Sequence, residues 1–152
     1  AKIERSLEGF DLLLTPADGE LAGRDVVEWS ELAATPLCLL SPDMQNRRII
    51  DRLLAAAGVH AHPTIEADAI SVLYAHVATR RWSTVIAHAW LHLFGVPDGL
   101  VAIPVAPPAT SYHAGLLLPD TDPQPILVQA FTETATSVDM EGRLGAILAS
   151  YT

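Results

Sequence analysis

A single cysteine, Cys38, stands among the 152 residues, so no disulfide framework can brace the fold. It lies in an apolar run, where burial raises a thiol's pKa instead of activating it, and a reducing cytoplasm fits its isolation. Basic residues are scarce as well. Nine Lys and Arg face 18 Asp and Glu, a net charge of −9. Such a surface repels phosphate backbones, which makes this chain a poor nucleic-acid binder by itself. Long apolar runs are missing: nothing approaches the roughly 20 residues that cross a bilayer. Residues 1–10 read as a charged, helix-like segment and not as a secretory leader. The expectation is a cytoplasmic chain with no membrane partner.

Catalytic signatures are equally sparse. No G-x-S-x-G elbow is present, so no serine has an evident reason to sit on a strained turn beside an oxyanion hole. Neither a G-x-x-x-x-G-K loop nor a G-x-G-x-x-G turn occurs. His88 and His92 are four apart on a predicted helix, a spacing that can share a metal. The zincin pattern needs Glu after the first His, and Ala89 stands there, with no Cys or carboxylate pair nearby. His60 and His62 fall two apart at a predicted strand start and read as solvated. No enzyme activity, no cofactor and no metal are expected.

What the chain does have is apolar bulk. Half its residues are hydrophobic and 18% are charged, the balance of a globular domain or of two small lobes. The most informative stretch is PLCLLSPDMQNRRIIDRLLAAAG, residues 36–58. Residues 36–40 are strand-sized and continuously apolar, as in an interior parallel strand. Ser41 can cap a helix that Pro42 opens, with Asp43 favourable in its first turn. Ile49, Ile50, Leu53, Leu54 and Ala57 recur at helical spacing, and Gly58 supplies a left-handed stop. A helix start at the carboxyl end of a strand is where open α/β sheets bind small, often anionic ligands. An ordinary ligand-free βα corner has the same pattern.

The rest alternates in kind. Residues 12–14 form a strand. Residues 26–35 form a short helix with Val26, Trp29 and Leu32 or Ala33 inward. Residues 60–65 form a strand weakened by Pro63, and residues 69–79 a helix with Ile70, Leu73 and Val77 on one stripe and Val72 and His76 beside it. Then follow a strand at 83–86, a helix at 87–94 ended by Gly95, and strands at 101–105 and 112–118. A helix near 125–135 packs Ile126, Leu127 and Phe131, with another turn or two in 142–150. The alternation means an α/β fold with a largely parallel sheet.

The order of these elements resembles the effector-binding domain of LysR-type transcriptional regulators. LLLTPADGELAGRDVVEWSELAATPLCLL, SPDMQNRRIIDRLLAAAG, PTIEADAISVLYAHVATRRWSTVIAH and LVAIPVAPPATSYHAGLLLP carry the likeness, which extends over about residues 12–135. The resemblance implies a periplasmic-binding-protein-like, Rossmann-like α/β fold of two lobes. Residues 20–110 would be mostly the second lobe. Residues 1–19 and 110–152 would be first-lobe fragments and crossing strands, with a stretch absent near Asp11 and Leu12. The family's DNA-binding winged helix-turn-helix has no match here, so DNA would be reached only through such a part. Where the family carries Gly-x-Gly after its Val-Ala helix, this chain has Arg80-Arg81-Trp82. That trio reads either as a clamp for an anion or as a solvated basic turn packing its Trp on a helix.

The resemblance implies a ligand-sensing module in which a small, anionic effector sits between lobes. The expected contacts are Ser41, Asp43 and Met44 at one helix start and Asp68 and Ala69 at the next. Asp68 doubles as an N-cap. A homodimer or larger assembly is expected too, since an incomplete first lobe would leave residues 12–14 and 115–118 in need of cover. A solute-binding protein of the same two-lobe fold is the alternative, and a small α/β enzyme comes third.

Overall fold

The computed structural model describes residues 11–108 and 115–151. The helix-like segment read in residues 1–10 lies outside them. β1 (Asp11–Pro16) is the strand read at 12–14, longer at both ends. Its leucines alternate across the sheet as strand geometry requires. Leu12 and Leu14 enter one apolar cluster and Leu13 the other, and all three are fully buried. The expectation that residues 12–14 need an outside partner is therefore corrected: the lobe itself covers them.

Five strands form the sheet. β2 (Cys38–Leu40) and β3 (Ile65–Ala67) pair in parallel, Leu40 opposite Ala67. β4 (Thr84–Ala87) joins β2 through a parallel bridge between Leu37 and Ser83, with Cys38 N–H donating to Ser83 O at 2.9 Å. β1 lies between β4 and β5 (Leu100–Pro104), antiparallel to both. The order is β3-β2-β4-β1-β5, with Val27 bridging Val105 beyond β5. β2, β3, β4 and β5 run one way and β1 alone runs the other, so the sheet is largely parallel with one reversed strand.

Helices cover both faces. On one side α1 (Gln45–Ala56) brings Ile50 and Leu54, and a 3₁₀ helix (Trp29–Ala34) brings Trp29 and Leu32, against Leu13, Leu39, Val85 and Ile103. Trp29 Nε1 donates to the carbonyl of Ala106 at 2.9 Å, which ties the 3₁₀ helix to the exit of β5. On the other side α2 (Ile70–Val77) and α3 (Ala89–Phe94) bring Leu73, Tyr74, Val77 and Leu91 onto Leu12, Leu14, Leu40 and Ile86. The Gly58 and Gly95 stops hold, at φ of 79° and 65°.

Several expectations are corrected. Val26 is 47% exposed and Val27 is the inward valine, because Val27 makes the bridge to Val105. Ala33 faces solvent, and so do Ala57 and Val72. Residues 60–64 carry no strand; pairing begins at Ile65, after Pro63. α4 (Ile126–Ser137) forms, yet Ile126, Leu127 and Phe131 are 82%, 82% and 61% exposed instead of packed. α5 (Met140–Tyr151) is a full helix against α3 and β5, more than the expected turn or two. Of the strand read at 112–118 only 115–118 is described, and no named strand lies there.

Candidate functional site

Parallel pairing aligns the carboxyl ends of β2, β3, β4 and β5 on one edge of the lobe. Ser41 N–H donates to Ala67 O at 2.9 Å, so Ser41 and Asp68 follow side by side from paired strand ends. Asp11 opposes Ala87, and Val105 N–H donates to Asp11 O at 3.1 Å. β1 therefore enters and β5 leaves at this same edge, next to His88. The structure thus brings together all five residues expected from the sequence, along with Asp11 and His88, two buried polar residues that sequence reasoning did not place here. Asp11 was hidden at the start of an apolar strand. The sequence marks His88 only by its spacing from His92, which is exposed where His88 is buried.

The helix starts differ from expectation. α1 begins at Gln45 with Met44 as N-cap, and α2 at Ile70 with Ala69 as N-cap. Ser41 and Asp68 are therefore not the caps. Ser41 spends its side chain on Asp43 inside a preceding turn, where Met44 N–H donates to Ser41 O at 3.0 Å. Arg48 closes that turn through Nη2 to Asp43 O at 2.8 Å. A thioether and a methyl group stand at the two cap positions, and neither makes a side-chain cap hydrogen bond. The first-turn amides of both helices thus present donors and positive dipole ends toward this edge.

Hydrogen bonds from the Ser41 side chain and from the Asp43 backbone, with Arg48 adding a smaller attraction, hold the Asp43 carboxyl below its ordinary range against a small desolvation cost. A depressed folded value means the bond helps folding above the ordinary carboxylate pKa, and its help fades as pH falls through the lowered value. We expect a carboxyl-detected NMR titration to place Asp43 below an ordinary aspartate, and Ser41→Ala to move it upward. An unchanged midpoint in that variant would contradict the contact.

Beneath the edge lies a buried cation. Arg47 Nη1 donates to Leu40 O and to Glu66 Oε1, each at 2.8 Å, and Nε to Asp51 Oδ1 at 2.9 Å. One guanidinium thus joins α1, the end of β2 and the middle of β3, immediately behind Ser41 and Asp68. Cys38, in β2, is buried and its thiol is pushed up to about 11 by desolvation, in line with its apolar context. Of the Arg80-Arg81-Trp82 trio, Trp82 packs against the apolar cluster while both arginines are exposed. They stand beside Ser83, at the end of the sheet away from the helix starts. Among the described residues, no group of three His, Cys, Asp or Glu could hold a metal.

The family model for the LysR substrate binding domain matches residues 11–139. The chain belongs to this family. Solved structures share the LysR domain's fold. The CcmR regulatory domain of Synechocystis PCC6803, in complex with 2-PG, aligns with a TM-score of 0.74 at 15% identity over 91% of this chain and 68% of that one. The effector-binding domain of QuiR in complex with shikimate gives 0.70 at 12% identity, over 88% of this chain and 63% of that one. HinK, a LysR family transcriptional regulator from Pseudomonas aeruginosa, gives 0.66 at 19% identity, over 87% of this chain and 45% of that one. The chain therefore spans under half of HinK and about two thirds of the two domains. As a LysR substrate-binding domain it is a regulatory sensing module, and the solute-binding alternative falls away. No helix among the described residues is long and apolar enough to cross a membrane.

Proposed function

We propose that this LysR domain binds a small molecule at the edge shared by Ser41, Asp43, Met44, Asp68 and Ala69, and thereby biases a DNA-binding part of the full regulator. One observation carries the reading: two helix starts without side-chain caps stand side by side where β1 enters and β5 leaves the lobe. An acidic group on the ligand would meet the first-turn amides, and hydroxyl groups would meet the carboxylates of Asp43 and Asp68. A ligand that prefers one arrangement of two lobes shifts the population toward it, which is how binding would reach the DNA-binding part.

Amide-shift mapping tests the site. With 2-PG and shikimate as probes, the reading predicts saturable shifts centred on residues 44–47 and 69–72 for at least one of them. Shifts confined to other surfaces would contradict it.

The full regulator would act in the cytoplasm, on DNA, and as an assembly. With net charge −9 the chain alone should show no duplex binding at physiological salt. Micromolar affinity in an anisotropy titration would refute this. Self-association is proposed from the exposed Leu117, Ile126, Leu127 and Phe131. Sedimentation should show dimers or larger species at high concentration, and a single sharp monomer would rule the proposal out.

A further inference from the structure

We propose a second small-molecule site at the opposite end of the lobe, shaped for a zwitterion of amino-acid size. A cleft of about 460 Å³ opens there between the end of β1, the 19–24 loop, the end of the 3₁₀ helix and the residues that lead into β4. It lies across the sheet from the uncapped helix starts, because Thr15, near the end of β1, and Ser83, just before β4, sit away from Asp11 and Ala87.

Four charged residues line it: Glu20, Arg24, Glu31 and Arg81. Two of them neutralise each other, Arg24 Nη2 lying 3.2 Å from Glu31 Oε1, while Glu31 Oε2 also accepts from Glu28 N–H at 2.9 Å. Glu20 and Arg81 make no ion pair or hydrogen bond among the described residues, which leaves one carboxylate and one guanidinium for a ligand. The floor adds a donor. Thr15 Oγ1 and Ser83 Oγ, both on buried residues, are 2.9 Å apart. That single bond uses one of their two hydroxyl hydrogens, and a buried donor without an acceptor is costly. A ligand carboxylate against Arg81 would take the spare hydrogen, and an ammonium would answer Glu20. Leu21, Ala34 and Pro36 supply an apolar wall for an aliphatic side chain. A free anion would meet the Glu20 carboxylate unanswered, and a free amine would leave Arg81 and the hydroxyl unanswered.

L-leucine is the probe, with 4-methylpentanoate lacking its ammonium and isoamylamine lacking its carboxylate. In an amide-shift titration of the whole chain, leucine should move residues 15, 20, 81 and 83 saturably, and each truncated analogue should bind at least about fivefold more weakly. Arg81→Gln should weaken leucine and 4-methylpentanoate and leave isoamylamine unchanged, while Glu20→Gln should weaken leucine and isoamylamine and leave 4-methylpentanoate unchanged. Both side chains are at the surface, and the analogue series on the unaltered chain carries the test without either variant. Equal binding of all three compounds would overturn the proposal. So would indifference to both substitutions, shifts centred on residues 41–47 and 68–72, or no saturable shift up to about 50 mM leucine. Leucine shifts at residues 41–47 and 68–72 would favour the helix-start edge while overturning this second site, and the other results leave that edge, probed with 2-PG and shikimate, untouched.

Discussion

Leu13→Ala is expected to destabilise the lobe by about 3–4 kcal/mol, the loss typical of a buried leucine truncated where the surroundings cannot collapse. Leu13 is 0% exposed in an interior strand, opposite Val85 on one side and Ile103 on the other. It shares an apolar cluster with Trp29, Leu32, Ile50 and Leu54, so the cavity would open between three separately anchored elements. Each is held independently. Trp29 is tied to Ala106, α1 to β2 through Arg47, and the flanking strands to β1 by backbone pairing. Collapse into the void would break one of these ties, which places the cost toward the upper part of the range. Chemical denaturation should show a lower midpoint at unchanged slope. A loss under about 1 kcal/mol would mean that the cluster repacks around the void.

Arg47→Met is expected to cost about 2 kcal/mol and to loosen the candidate site. The substitution keeps the apolar stem and removes three hydrogen bonds, one to Leu40 O and one each to Glu66 and Asp51. The carboxylates retain access to water, with side chains 44% and 42% exposed, so most of the Coulomb attraction is screened and the figure stays below that for a fully buried pair. What remains is the buried Leu40 carbonyl, which loses a charged donor, and the freed registration of α1 against β3. Leu40 immediately precedes Ser41, and Glu66 lies two residues before Asp68, so the loss falls on both helix starts together. A thermal midpoint lower by roughly 4–8 °C, with faster amide exchange at residues 41–47 and 67–72, is the expected signature. A stability unchanged within about 0.5 kcal/mol would show that the ion cluster is only a surface ornament.

Much of this arrangement is legible in the sequence, and the failures have physical causes. The 36–40 run announces β2 because a strand covered on both faces needs apolar side chains at every position. Gly58 and Gly95 announce helix ends because few other residues tolerate their backbone angles. The α1 start misleads by three residues. Ser41 and Asp43 have the chemistry of a first turn, but they bond each other in a turn of their own, and the helix begins after Met44. Short polar side chains offer the backbone competing local bonds, and composition alone does not choose between them. Val26 and Val27 are indistinguishable until Val105, far away in sequence, selects one. The Arg47–Glu66 contact spans 19 positions and has no periodic trace. Ile126, Leu127 and Phe131 have the spacing of a packed helix, and α4 forms with them exposed. Helical spacing reports an apolar face and says nothing of what covers it.

One substitution separates a ligand site from a bare βα corner: Ala69→Asp at the N-cap of α2, assayed for stability and for binding of whichever small acid the unaltered domain takes up best. An aspartate there can accept the first-turn amides and should stabilise the helix by about 0.5–1 kcal/mol. The same carboxylate would occupy the donors that the ligand needs and repel its acidic group, so affinity should fall at least about tenfold while stability rises. The account predicts these opposite signs. Affinity unchanged in a stabilised variant would contradict it and move the binding site away from the paired helix starts.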